Sequence, residues 1–198
     1  MEEWFERSPF VGFVPWIIYW VVADGPSTWM FGGAVCAVIA TLIMGGVSAG
    51  FGGLRLLDIV TVVFFTGVTI AGGMVVGAAD RDWMDTYATA LSSGALALMA
   101  LGSLAFVPFT AQYAPPPSAP REEWEEAAFR RTNQVLTLMW ALVFALIAVL
   151  GYVAVASPST VHWTKAVIPV VVIVGAIGMT QTYPPQRAKE QARPPEAA

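Results

Sequence analysis

The chain has 198 residues, of which 57% are hydrophobic and only 12% charged, with a formal net charge of −4. A soluble domain carries about 25% charged residues, so this deficit argues against a core-rich soluble fold and for surface that faces lipid. The acidic balance argues against nucleic acid as a partner, because nucleic acid binds a basic face.

Crossing a hydrocarbon core about 30 Å thick takes roughly 20 apolar residues in a helix. Inside lipid the backbone must satisfy its own polar groups, which selects helices. Six apolar stretches meet this description, at about 9–23, 30–50, 56–78, 86–112, 133–156 and 163–183. The expected fold is therefore all-α, a polytopic membrane domain over 1–183 whose six transmembrane helices form three hairpins. The start, Met1-Glu2-Glu3-Trp4, lacks the basic region of a cleaved signal peptide, so the first stretch is expected to remain as a helix.

The first span holds Pro15, Trp16, Tyr19 and Trp20. The proline kinks a helix by removing one amide donor. The aromatic residues read as an interfacial belt or as core, ahead of a ligand-stacking platform. Cys36, the only cysteine, lies mid-span as a small packing residue and rules out an intramolecular disulfide. Gly46 and Gly50, and Gly73 and Gly77, have the Gly-x-x-x-Gly spacing. That spacing lets helices approach closely, within one chain or between copies in a homo-oligomer.

Of the ten Lys and Arg residues, eight lie in the N-terminus, the 2–3 link, the 4–5 link and the tail: Arg7, Arg55, Arg121, Arg130, Arg131, Arg187, Lys189 and Arg193. Only Arg81 and Lys165 lie in the alternate links. Positive residues collect on the cytoplasmic side, so both termini are expected to be cytoplasmic. The outer links share a pattern. Trp29, Trp83 and Trp163 each stand where an even-numbered helix begins, and Pro-Ser-Thr precedes two of them. An ancestral hairpin repeat would explain this, as would the preference of tryptophan for interfaces.

The 4–5 link, 113–132, is the one sizeable polar segment. Its prolines predict an extended stretch. The run from Arg121 to Arg131 then predicts a short helix, with Glu126 and Arg130 spaced four apart for a favourable pair and Trp124 on the face that would touch the membrane surface. The segment 184–198 reads as a disordered cytoplasmic tail.

Few residues are candidates for chemistry. Ionisable groups within or beside a span are costly and therefore functional by default. Arg55 and Asp58, three apart at the start of the third helix, make either a gate or proton site, or a boundary ion pair that fixes helix depth. Asp80, Asp82 and Asp85 read as solvated loop charges ahead of an oxygen-ligand site for a divalent cation, and His162 as a solvent-facing residue. One histidine with no thiolate cluster implies no metal site and no cofactor. The chain has no paired carboxylates, histidine cluster or activated nucleophile of a recognisable enzyme, so it is read as non-enzymatic.

The Trp-rich opening Pro15-Trp16-Ile17-Ile18-Tyr19-Trp20, the three hairpins, Trp124, the segment Phe129-Arg130-Arg131-Thr132-Asn133-Gln134-Val135-Leu136-Thr137, and Trp140-Ala141 together resemble the bacterial intracellular septation protein A family and its six-helix relatives. The resemblance covers about 8–183 and is most specific over 124–141. It implies a small multi-pass protein of the bacterial cytoplasmic membrane that acts on envelope synthesis or division through other membrane proteins. The family has no established catalytic residues to carry over. The Pro-rich 4–5 link and acidic N-terminus depart from its pattern and put the identity of any division partner in doubt. The expected contact surface for lipid or partner is Trp124, Arg130, Arg131, Asn133 and Trp140. The expected role is scaffolding or modulating a membrane complex, with a small transporter or channel for an ion, lipid or small molecule as the alternative.

Overall fold

The computed structural model describes residues 9–22, 28–50, 55–75, 77–113 and 127–191. The described residues contain only helices and their connections. Helix α1 is Pro9–Val22, α2 is Thr28–Gly50 and α3 is Leu56–Ile70, which runs on into a wider π-helical turn, Ala71–Val75. The short α4 is Ala78–Thr86 and α5 is Ala88–Ser103. A 3-10 turn, Phe109–Gln112, precedes α6, Ala127–Ala156. A second 3-10 turn, Pro158–Thr160, and a π-helical segment, His162–Val167, lead into α7, Ile168–Gln191.

Four apolar helices are long enough to cross a membrane: Thr28–Gly46, Leu56–Met74, Phe129–Ala156 and His162–Tyr183. Two more apolar helices, Gly12–Val22 and Ala88–Ser103, are shorter than that. The stretch expected as one span over 86–112 is divided. Helix α5 stops at Ser103, whose hydroxyl donates to the Ala100 carbonyl at 2.7 Å and accepts the Phe109 amide at 3.1 Å. Pro108 disfavours helical backbone at the residue before it, so the chain turns over 104–107 and restarts as the 3-10 turn. Asp80, Asp82 and Asp85, expected in a loop, lie on α4. The last helix continues past Tyr183 to Gln191.

Helices α5 and α6 pack together most extensively, followed by α2 with α3 and α1 with α2, while α7 packs on α6. Helix α1 joins the two groups through its aromatic residues. Trp16 is fully buried and lies 5.0 Å from Phe64 and 4.9 Å from Phe65 of α3 between ring centroids. Phe13 stacks on Trp140 of α6 at 6.0 Å and meets Phe144 at 5.8 Å. The Trp20 indole donates to the Ser92 hydroxyl of α5 at 3.0 Å. The aromatic cluster of the first span is thus core, with Trp16 and Tyr19 both buried. Cys36 is buried as well, and its thiol donates to the Pro15 carbonyl at 3.0 Å, tying α2 to α1.

Close contacts fall at other glycines than Gly46 and Gly73. Gly46 and Gly73 have nothing near the position of an added Cβ. At Gly72 an added Cβ would lie 2.5 Å from the Trp29 ring, and at Gly151 it would lie 3.1 Å from the Ala90 backbone nitrogen. Trp29 is 2% exposed, whereas Trp83 and Trp163 are 54% and 62% exposed, so the three link tryptophans do not occupy equivalent places.

The Gly151 contact sets the approach of α5 to α6. Overfilling a close-packed contact costs about 1–3 kcal/mol, so Gly151→Val is expected to lower stability by about that much. Gly178→Ala, facing open space, is expected to leave it unchanged. Unfolding midpoints of the two variants in detergent check this.

Candidate functional site

Arg55 precedes α3 with extended backbone, φ −89° and ψ 147°. The first amides of any helix lack intrahelical partners. Here the Leu56 amide donates to the side-chain oxygen of Gln112 at 2.8 Å, so the 3-10 turn caps α3 from another part of the chain. That turn is held in turn by α6. The Thr110 hydroxyl donates to the Asn133 carbonyl at 3.0 Å and lies 2.9 Å from the Thr137 hydroxyl. Phe109 anchors it from within the core.

This docking carries Tyr113 to Arg55 and Asp58. The Arg55 guanidinium carbon lies 4.6 Å from the centre of the Tyr113 ring, a cation–π distance. Asp58, in the first turn of α3 where the helix dipole favours a negative charge, is only 4% exposed. Its electrostatic partners are the Arg55 guanidinium and backbone amide. Asp58 Oδ2 is enclosed and has no hydrogen-bond partner among the described residues, and the Tyr113 hydroxyl is enclosed beside the Arg55 guanidinium. Gly12 of α1 closes the third side: a Cβ there would lie 2.9 Å from Leu57 Cδ2, 3.3 Å from the Tyr113 hydroxyl and 3.4 Å from Asp58 Oδ1. Burial, and then the Asp58 charge, hold the Tyr113 phenol above its ordinary value, so at neutral pH it keeps its proton and can donate. An enclosed polar atom without a partner costs about 1–3 kcal/mol, more when charged. A carboxyl facing a phenol in this setting can bind a proton or a small hydrogen-bonding species.

The other sequence-predicted residues are dispersed. Arg130 and Arg131 are exposed near the start of α6. Asn133 is 3% exposed and its side-chain amide donates to the Phe129 carbonyl at 3.0 Å. The Trp140 indole donates to the Thr180 hydroxyl of α7 at 3.1 Å. Asn133 and Trp140 therefore serve the interior, and the accessible part of the expected contact face narrows to Arg130 and Arg131. Trp124 lies outside the described residues. Arg55 and Asp58 do sit together, but the guanidinium is drawn to the Tyr113 ring.

Tyr113, Gln112 and Gly12 were not singled out as site residues by the sequence. The available signal was the run Pro108 to Tyr113, where a proline and three polar residues interrupt an apolar stretch. At the opposite face, Trp83, Tyr87 and Tyr152 form a partly exposed aromatic ladder with centroid spacings of 5.2 and 5.8 Å. The described residues hold no group of three or more His, Cys, Asp or Glu placed for a metal ion. Comparison with known protein families, curated proteins and solved structures gave no match.

Gln112→Ala removes the acceptor for the Leu56 amide. The expected loss is about 1–3 kcal/mol, the cost of an orphaned amide, read as a lower unfolding midpoint. Thr66→Ala, at an exposed position of α3, is the control expected to show no change.

Proposed function

We propose that the protein is a six-span integral membrane protein, folded as three hairpins with both termini cytoplasmic, that works without catalysis by scaffolding or modulating a membrane complex. The observation that carries this reading is the outward apolar surface beside an exposed cationic pair. Val170, Val171 and Val174 of α7, and Leu138, Leu142 and Val149 of α6, are all exposed, and Arg130 and Arg131 stand at the head of the same helix α6. Such a helix suits lipid or another membrane protein along its length and anionic headgroups or an acidic partner at its end. The placement in the bacterial cytoplasmic membrane, and the link to envelope synthesis or division, rest on the resemblance to the septation protein A family alone.

In this reading the two short apolar helices also cross. Helix α5 has 16 residues, about 24 Å at 1.5 Å per residue, and the chain from 104 to 113 extends its reach. Cysteine labelling in a Cys36→Ala background tests the arrangement. Asp82→Cys and Ser118→Cys are expected to react from opposite sides of the membrane, as are Ser8→Cys and Ser27→Cys. Reaction of either pair from one side would mean that the intervening helix does not cross.

The cationic pair has its own test. Purified with native lipids, the Arg130→Glu, Arg131→Glu double variant is expected to retain fewer phosphatidylglycerol molecules in native mass spectrometry than the parent chain. Equal retention would remove the headgroup role.

A second reading, a small transporter or channel, is favoured by one observation: the enclosed and unpartnered Oδ2 of Asp58. A buried carboxyl beside a membrane face is the kind of group that coupling ions use.

A further inference from the structure

We propose that Asp58 is a proton-binding carboxyl, with Arg55 as its counter-charge and the Tyr113 hydroxyl close by, reached from the end of the bundle where α3 begins. The inference deepens the transporter reading, on which its coupling role rests, by naming the ion as the proton.

The geometry supports this ion above a metal cation. A hard metal ion such as calcium takes about six to eight oxygen ligands. Here Asp58 and Tyr113 offer at most three, and the Arg55 charge opposes a second cation. A proton needs only the carboxyl and one partner. The Tyr113 hydroxyl is able to serve both states, since a phenol both donates and accepts. The two groups are not hydrogen-bonded in this structure; on closer approach the phenol would donate to the ionised carboxylate or accept from the protonated acid. Gly12 leaves room beside them: a Cβ there would lie 2.9 Å from Leu57 Cδ2 and 3.3 Å from the Tyr113 hydroxyl.

Among the described residues, the charged and titratable groups facing Asp58 are Arg55 on its own helix and Tyr113 after the 3-10 turn. Helix α1 contributes the uncharged Gly12, and Gln112 is occupied by the Leu56 amide. Hydronium gives one proton to the carboxylate and leaves as water; one O–H bond breaks and one forms. The Arg55–Asp58 pair thereby passes from neutral to singly positive. Asp58 lies one turn from the end of α3, so the proton need not cross the apolar interior to reach it.

Infrared difference spectroscopy of the full chain in lipid nanodiscs, between neutral and acidic pH, tests the site. Acidification is expected to produce a carboxylic-acid carbonyl band that is lost in Asp58→Asn and shifted in Tyr113→Phe. The band should persist in Asp82→Asn, which changes an exposed carboxylate. A spectrum unchanged by both Asp58→Asn and Tyr113→Phe overturns the proposal. So does a band that sodium removes at constant pH, which would make the occupant a metal cation. If Asp58→Asn fails to fold, the shift in Tyr113→Phe carries the test. Proton uptake into proteoliposomes is measured separately. A band without flux keeps the proton site and removes the transporter reading.

Discussion

The bundle depends on indole N–H groups that must find acceptors where water is scarce. A buried tryptophan brings a large apolar ring and one donor that usually finds a partner. Three of them here donate to hydroxyls on other helices. Trp16 reaches Thr61 of α3 at 2.8 Å, Trp20 reaches Ser92 of α5, and Trp140 reaches Thr180 of α7. Each acceptor hydroxyl in turn donates to a carbonyl of its own helix, as Thr61 does to Leu57 at 2.6 Å and Thr180 to Ala176 at 2.8 Å. The hydroxyls thus link an indole to a helix backbone and leave neither polar atom stranded. Lipid removes most of the hydrophobic drive for one helix to seek another, so these bonds and the close packing around them define which helices are neighbours.

Helix α1 is the piece on which the arrangement turns. It is short and contains a proline, yet three of its aromatic residues reach three different helices. The same helix presents Gly12 to the Asp58 and Tyr113 oxygens. The core contacts therefore also hold the lid of the candidate site, and a change in how α1 seats would alter the space around both oxygens.

The contrast between the satisfied and unsatisfied groups gives the site its meaning. Buried Thr61, Ser92, Ser103, Asn133 and Thr137 all take part in hydrogen bonds. Among the described residues, Asp58 Oδ2 is an enclosed side-chain atom without one. The buried Ser93 hydroxyl of α5 is likewise unpaired, so what sets Asp58 apart is its charge and the neighbouring Arg55.

The sequence by itself determined the helical class, the number of apolar stretches, the asymmetry of positive charge and the adjacency of Arg55 and Asp58. These are properties of composition and of neighbours within one element, where the periodicity of the helix is enough. It misjudged the stretch around Pro108, because an apolar run does not show where a proline turns the chain back. Asn133 and Trp140 read as surface because they follow Arg130 and Arg131 in order, while the helix rotates them to the interior. Only the tertiary structure decided that Gly12, Asp58 and Tyr113 meet. They come from three segments far apart in the chain, and their proximity follows from the docking of the 3-10 turn on α3 and α6, a set of long-range hydrogen bonds that no local pattern encodes.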